Sequence, residues 1–263
     1  MGVKLLLDLG NTRLKWALVQ AGQWLDRGAQ VWDENVPAAL TCRWREQAVP
    51  IQVLGASVVD DRREAQINAV IAALFGLEVT WLHTPAYGCG VHNAYGEPQK
   101  LGVDRFLSMV AARHADRLPC VLVGIGTTLT LDALSRDGQH LGGLIAPGPH
   151  LMQRSLLGAT VRVRPGGGSG KVCEVADNTA DAMASGCRLA AVALIERFTA
   201  RMVPSRLGTD AVLLLHGGDT ELILPWLTRP ARHVSDSVLC GLAVWAGEMK
   251  QNVAGGTTES EKS

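Results

Sequence analysis

The chain has 263 residues, enough for one large domain or two of about 100 to 150 residues, either of which can bury a core without staples. Lysine plus arginine and aspartate plus glutamate number 25 each, so no overall field favours nucleic acid or an anionic membrane surface, and partners must be sought in local sites. The longest apolar runs, AVLLL at 211–215 and PCVLVGIG at 119–126, fall far short of the roughly 20 residues that span a bilayer, so no membrane segment is expected.

The amino terminus reads MGVKLLLDLGNT, with three leucines before an aspartate and no small-residue cleavage site, which argues against a signal peptide and for a cytoplasmic protein. VKLLLDLG, LKWALVQ and QWLDRGAQV read as strands, the last two joined by a hairpin turn at Ala21 and Gly22. Residues 51–59 form a buried strand, 61–75 a helix and 77–83 another strand. A loop rich in glycine, proline and asparagine (84–99) precedes a helix over 101–116, where Val103, Phe106, Leu107, Val110 and Ala111 share one face. The second half opens with CVLVGIGTTLTLDALSRDGQHLGGLI, two apolar strands around an Asp137-Gly138 hairpin signal. Asp177 or Asn178 caps a long alanine-rich helix ending near Met202. DAVLLLHGGD is a strand entering a glycine turn and 237–250 a last helix; the chain then runs into AGGTTESEKS, which lacks apolar content, and 251–263 is expected to be disordered.

This alternation predicts an α/β fold. The halves also repeat. Residues 5–18 placed over 121–134, an offset of 116, align the apolar strands, Gly10 with Gly126 and Thr12 with Thr128. The expected units are 1–117 and 118–250.

Two glycine-rich places compete as a phosphate cradle. RVRPGGGSGKVCEV (162–175) fails the Walker pattern: Pro165 stands at the required first glycine and Val172 at the required hydroxyl. It reads as a flexible loop whose Arg162, Arg164 and Lys171 can touch an anionic ligand. The paired hairpins offer more, because a turn of backbone N–H groups and small hydroxyls binds phosphate oxygens, and two facing turns clamp a polyphosphate. Asp8, ending its strand beside them, either holds a hydrated Mg²⁺ or simply caps the turn. The six cysteines form no C-x-x-C pair and the seven histidines no H-E-x-x-H, so no metal bound by cysteine or histidine is expected.

These residues resemble the type III pantothenate kinases, a group also labelled Bvg accessory factors, within the actin-like ATPase superfamily. D-x-G-N-[ST] with a following lysine appears as Asp8, Gly10, Asn11, Thr12 and Lys15. A tyrosine followed by P-x-x-L-G-x-D-R appears as Tyr95, Pro98, Leu101, Gly102, Asp104 and Arg105. G-T-x-x-T-x-D is matched by Gly126, Thr127, Thr130 and Asp132, and G-G-x-I-x-P-G by Gly142, Gly143, Ile145, Pro147 and Gly148. N-T-x-x-A-x-x-x-G is matched by Asn178, Thr179, Ala182 and Gly186.

The resemblance implies a duplicated actin-like (ribonuclease H-like) fold with the nucleotide between its lobes. It implies Mg²⁺-dependent phosphorylation of pantothenate by ATP, the first step towards coenzyme A. The ATP and phosphate site would comprise Asp8, Leu9, Gly10, Asn11, Thr12, Arg13, Leu14 and Lys15 with Gly126, Thr127 and Thr128, and Asp8 would hold the magnesium through water. The acceptor site would comprise Tyr95, Gly102, Val103, Asp104, Arg105 and Thr179. Asp104 would be the base, kept ionised by the start of its helix, and Arg105 a planar fork for the pantothenate carboxylate. Without the resemblance, Asp104 is also an ordinary first-turn aspartate, Arg105 a surface ion pair and Tyr95 a packed loop aromatic. A homodimer would form through the helices at 101–116 and 178–202.

Two departures stand out. Gly124 occupies the place where family members often carry an aspartate expected to bind K⁺ or NH₄⁺, which puts that implied requirement in doubt. His216 replaces a threonine before the glycine pair on the adenosine side. They motivate one alternative, a nucleotide-binding regulatory protein without turnover; a second alternative stays within catalysis, an actin-like kinase or phosphatase for another small hydroxylated acid or sugar.

Overall fold

The computed structural model describes residues 2–159 and 170–248. The amino-terminal half builds one sheet from β1 (Lys4–Leu9), β2 (Arg13–Gln20), β3 (Gln23–Val31), β4 (Gln52–Ser57) and β5 (Val79–Trp81), with α1 (Val36–Arg45) and α2 (Asp61–Phe75) in the connections. A small ribbon of β6 (Tyr87–Gly88) and β7 (Val91–His92) leads to α3 (Val103–His114). The second half runs β8 (Cys120–Ile125), β9 (Thr128–Leu134), β10 (His140–Pro147), α4 (Pro149–Ala159), α5 (Thr179–Met202), β11 (Val212–His216), α6 (Thr220–Ile223), β12 (Ala231–His233) and α7 (Ser237–Trp245).

The two five-stranded sheets have the orders β3-β2-β1-β4-β5 and β10-β9-β8-β11-β12, strand for strand the same plan. In each, an antiparallel meander is extended by two parallel strands. The duplication carries one correction to the alignment. Leu9 lies opposite Leu14, whereas Ile125 lies opposite Leu129, so the second turn is one residue shorter. The counterpart of Thr12 is therefore Thr127, 115 residues on, and that of Lys15 is Thr130. Asp8 and Gly124 remain equivalent.

The layers follow from side-chain alternation along buried strands. Leu5, Leu7 and Leu9 of β1 point to the outer helices, joining Val36, Leu40 and Trp44 of α1 and Ile67 and Ile71 of α2. Leu6, Ala17, Leu54 and Ala56 point the other way, onto Val103 and Leu107 of α3 and Leu239 and Leu242 of α7. The opposite side of α3, with Phe106, Met109 and Val110, packs on Cys120, Leu122, Leu134 and Leu214 of the second sheet. Val121, Val123 and Ile125 then face Ala191, Val192 and Ile195 of α5. The result is helix, sheet, helix, sheet, helix, with α3 and α7 as the middle layer. α7 closes the chain yet packs against the first sheet.

Local signals explain most boundaries. Ala21 and Gly22 both take positive φ, 50° and 80°, the hairpin turn that matches strand twist. Asp60 and Asn178 cap α2 and α5, accepting from the N–H groups of Arg63 and Asp181. Several expectations were too long: α3 starts at Val103 behind Gly102, β5 has three residues, and α7 ends at Trp245. The ribbon β6–β7 lies in the stretch read as loop. Among the described residues no helix is long and apolar enough to cross a membrane. Arg162, Arg164 and the tail at 251–263 lie outside the described residues.

Candidate active site

Because β1 and β8 are the central strands of their sheets, the turns that follow them open towards each other over the ends of the middle helices. A cleft of about 870 Å³ lies there. One wall carries Asp8, Gly10, Asn11, Thr12, Arg13 and Lys15, the other Gly126, Thr127 and Thr128, and Asp104 reaches in from the first turn of α3. The hydroxyls of Thr12 and Thr127 meet across the gap, Oγ1 to Oγ1 2.8 Å. Leu9 and Leu14 are fully buried, so only their backbone is available to a ligand.

Charge in this cleft is concentrated and poorly hydrated. Asp8 sits opposite Lys15 in the β1–β2 ladder. Burial pushes the Asp8 carboxyl up to about 7; Lys15 pulls it down, while the nearby Asp104 and Asp236 charges push it further up. Asp104 is raised too, again by burial, which outweighs the Arg105 N–H that donates to its Oδ1 at 2.8 Å. Loss of water thus acts against the ionised form that the helix start favours, and its effect is the larger. His216, at the end of β11, is pushed down to about 4, first by burial and then by Lys15, and is neutral.

Sequence reasoning overlooked Asp236. It precedes α7 in a left-handed conformation, φ 49° and ψ 35°, and makes no side-chain cap. Its carboxylate instead holds Lys15 Nζ and Arg27 Nη1, each at 3.2 Å. All three side chains line the cleft. An aspartate ahead of a helix-starting serine is a cap signal in sequence, and that bland signal conceals the role.

The remaining candidates lie elsewhere. Arg105 is buried and turns its fork on Asp132, Nε to Oδ2 2.9 Å and Nη2 to Oδ1 2.6 Å. Asp132 also bonds His140 Nε2 at 2.9 Å, and Arg105 Nη1 donates to the Tyr95 hydroxyl at 3.2 Å. The fork expected to meet an acceptor carboxylate is therefore already engaged inside the protein. Burial alone would raise the Asp132 carboxyl, but the hydrogen bonds from His140 and Arg105 hold it below the usual carboxylate range. Gly143 passes directly over this pair: a Cβ there would come within 2.5 Å of Asp132 Oδ1. Among the described residues Tyr95, Gly102, Val103, Arg105 and Thr179 do not line the cleft. Thr179 is the exposed first residue of α5, and Lys171 donates its backbone N–H to Asp181 at 2.9 Å, away from the cleft.

At position 124 a Cβ would stand 2.6 Å from Thr130 Oγ1 and 3.1 Å from the His216 ring. The two departures noted in sequence are thus neighbours: the space a side chain at 124 would need is taken first by the Thr130 hydroxyl and then by the imidazole.

A duplicated pair of sheets with matching turns facing across an interlobe cleft defines the actin-like fold. Solved structures share that fold: a conserved Baf family protein from Campylobacter jejuni superposes with a TM-score of 0.55 at 16% identity, covering 93% of this chain and 98% of its own. The activator of a 2-hydroxyisocaproyl-CoA dehydratase from Clostridium difficile gives 0.50 at 12%, covering 93% and 92%. The family model for type III pantothenate kinase matches residues 4–201. Relatives named type III pantothenate kinase are 43% identical over 244 residues in Laribacter hongkongensis, covering 91% of this chain and 96% of that one, and 35% identical over 256 residues in Nitrosospira multiformis, covering 97% and 95%. The chain belongs to the type III pantothenate kinase family.

Proposed function

We propose that this chain transfers the γ-phosphoryl group of ATP to the primary hydroxyl of pantothenate, yielding 4′-phosphopantothenate and ADP. The observation that carries the reading is the meeting of Thr12 and Thr127 across a cleft that also holds Asp104. The turns at 10–13 and 126–128 grip the triphosphate, with Lys15 neutralising charge. Asp104 takes the hydroxyl proton as the new O–P bond forms, and the bond from the γ-phosphorus to the bridging oxygen breaks to release ADP.

Magnesium fits the donors present: Asp8 is a carboxylate turned into the cleft, and no cluster of three or more His, Cys, Asp or Glu exists among the described residues to strip the ion of water. Asp8 would hold hydrated Mg²⁺, which would supply charge neutralisation on the phosphates. With Thr130 and His216 filling the space at Gly124, the reading includes no potassium or ammonium requirement. Lobes at 1–117 and 118–250 are joined by α7 crossing back to the first sheet. Tyr95, Gly102, Val103 and Arg105 shape the acceptor side around Asp104, and Thr179 belongs to it in a homodimer, where a second copy closes the pocket.

The experiment is product identification by mass spectrometry after incubation with Mg-ATP and pantothenate, against a panel of small hydroxy acids and sugars at equal concentration. Phosphopantothenate is expected as the dominant product. A faster phosphorylated acceptor elsewhere in the panel, or no product at all, would overturn the assignment.

A further inference from the structure

The first phosphate turn is held from behind by side chains, and the second is not. Trp32, just past β3, donates its indole Nε1–H to the Gly10 carbonyl at 2.7 Å, and its backbone N–H to the Thr12 carbonyl at 3.3 Å. Arg63, in the first turn of α2, reaches the carbonyl between them, Nη1 to Asn11 O 3.4 Å. Its guanidinium lies over the Trp32 ring, 5.2 Å from the centroid. The Leu9 and Arg13 carbonyls are taken by the N–H groups of Val58 and Gly10, so every carbonyl from 9 to 13 has a protein donor. The N–H groups of Asn11 and Thr12 donate to nothing among the described residues, and both residues line the cleft. In the second lobe the matching carbonyls of Ile125 and Thr127 are met by backbone N–H groups of Asp219 and Gly148.

A peptide group points its carbonyl and its N–H in opposite directions, so whatever fixes the carbonyls behind the turn aims the N–H groups forward. We propose that Trp32 and Arg63 are positioning residues for phosphate. They set the orientation of the 10–12 peptides and thereby the affinity of the cleft for a polyphosphate chain, without touching it. The inference rests on the reading that this turn grips ATP, and it goes further in making two residues outside the cleft lining responsible for nucleotide affinity.

The test compares Trp32→Phe, which keeps the ring for packing and for Arg63 but removes the N–H, with Arg63→Ala and Arg63→Lys. Arg63 is partly exposed, so its variants are expected to fold even if a change at Trp32 is not tolerated. Calorimetric titration with a non-hydrolysable ATP analogue in Mg²⁺, and with inorganic triphosphate, should give Kd values about fivefold to tenfold weaker for Trp32→Phe and Arg63→Ala, the scale of losing one positioned hydrogen bond. Arg63→Lys should recover part of the loss. KM for pantothenate and the unfolding temperature should stay at wild-type values, which separates positioning from general damage. Wild-type affinity for both probes in both variants overturns the inference, as does an equal rise in KM for pantothenate. Failure of the site reading looks different: the wild-type protein would then bind the analogue with an affinity indifferent to Thr12→Ala.

Discussion

Thr12 and Thr127 share a hydrogen bond of 2.8 Å although 115 residues separate them, because they are the same residue of a repeated hairpin. On the proposed function, a polyphosphate entering between the turns takes over both hydroxyls, each of which is paired with the other in the free protein. The Thr127→Ala variant should keep its unfolding temperature, since the pair is exposed. It should lose about tenfold in kcat/KM for ATP, the scale of one charge-assisted hydrogen bond. Steady-state kinetics beside a thermal melt checks both halves.

Asp8 gives a pH signature. Its folded carboxyl stands at about 7 against 3.8 for a free aspartate. A raised value means the fold prefers the neutral acid: no penalty exists below about pH 4, and one develops as pH rises through 7. Asp8→Asn should therefore match wild type in stability at acid pH and exceed it at pH 8, by on the order of 2 kcal/mol. Urea denaturation at the two pH values measures this. The same variant should lose Mg²⁺-dependent activity, and in wild type Mg²⁺ affinity should climb between pH 6 and 8.

Removing Asp132 should be costly. Asp132→Ala leaves Arg105 buried without its counterion, a loss of about 3–5 kcal/mol by chemical denaturation. Asp132 is held below the ordinary range, so the stability it adds is present above about pH 4 and fades on acidification. Asp132→Asn, which keeps an acceptor for the guanidinium, should cost less. Both should raise KM for pantothenate more than KM for ATP, because Arg105 adjoins Asp104.

Gly124 and His216 should behave as a coupled pair. Gly124→Asp alone brings its Cβ to 2.6 Å from Thr130 Oγ1 and 3.1 Å from the His216 ring, so it should destabilise by about 1–3 kcal/mol. Adding His216→Thr should recover the part due to the imidazole and leave the closer contact with Thr130. A double-mutant cycle on denaturant midpoints gives the coupling directly, and additivity would show that the two positions do not share space.

The fold was legible because its signals are local and repeated. An apolar strand, a glycine turn and a returning strand at 5–18 recur at 121–134, and the cap at Asn178 and the Asp137-Gly138 turn set the ends of neighbouring elements. The turn-length difference was invisible because strands of equal apolarity align equally well one residue apart; only the strand register places Thr12 with Thr127 rather than Thr128. The residues expected to meet phosphate carry motif spacing, and all of them but Leu9 and Leu14 line the cleft. Asp236, Arg27, Trp32 and Arg63 were missed because their partners lie far along the chain, and nothing in a run such as VSDSV marks a carboxylate that will clasp Lys15. Arg105 was seen in its motif, but its pairing with Asp132 was not: that residue is 27 positions away, and only β9 brings it alongside α3.

The most direct measurement is ADP release in a coupled assay with and without pantothenate, for wild type and for Asp104→Asn, with nucleotide affinity measured in parallel. The account predicts pantothenate-dependent release in wild type, a fall of about a hundredfold to ten-thousandfold in kcat for the variant, and unchanged affinity for an ATP analogue. Release indifferent to pantothenate, or full turnover without the Asp104 carboxylate, would contradict it.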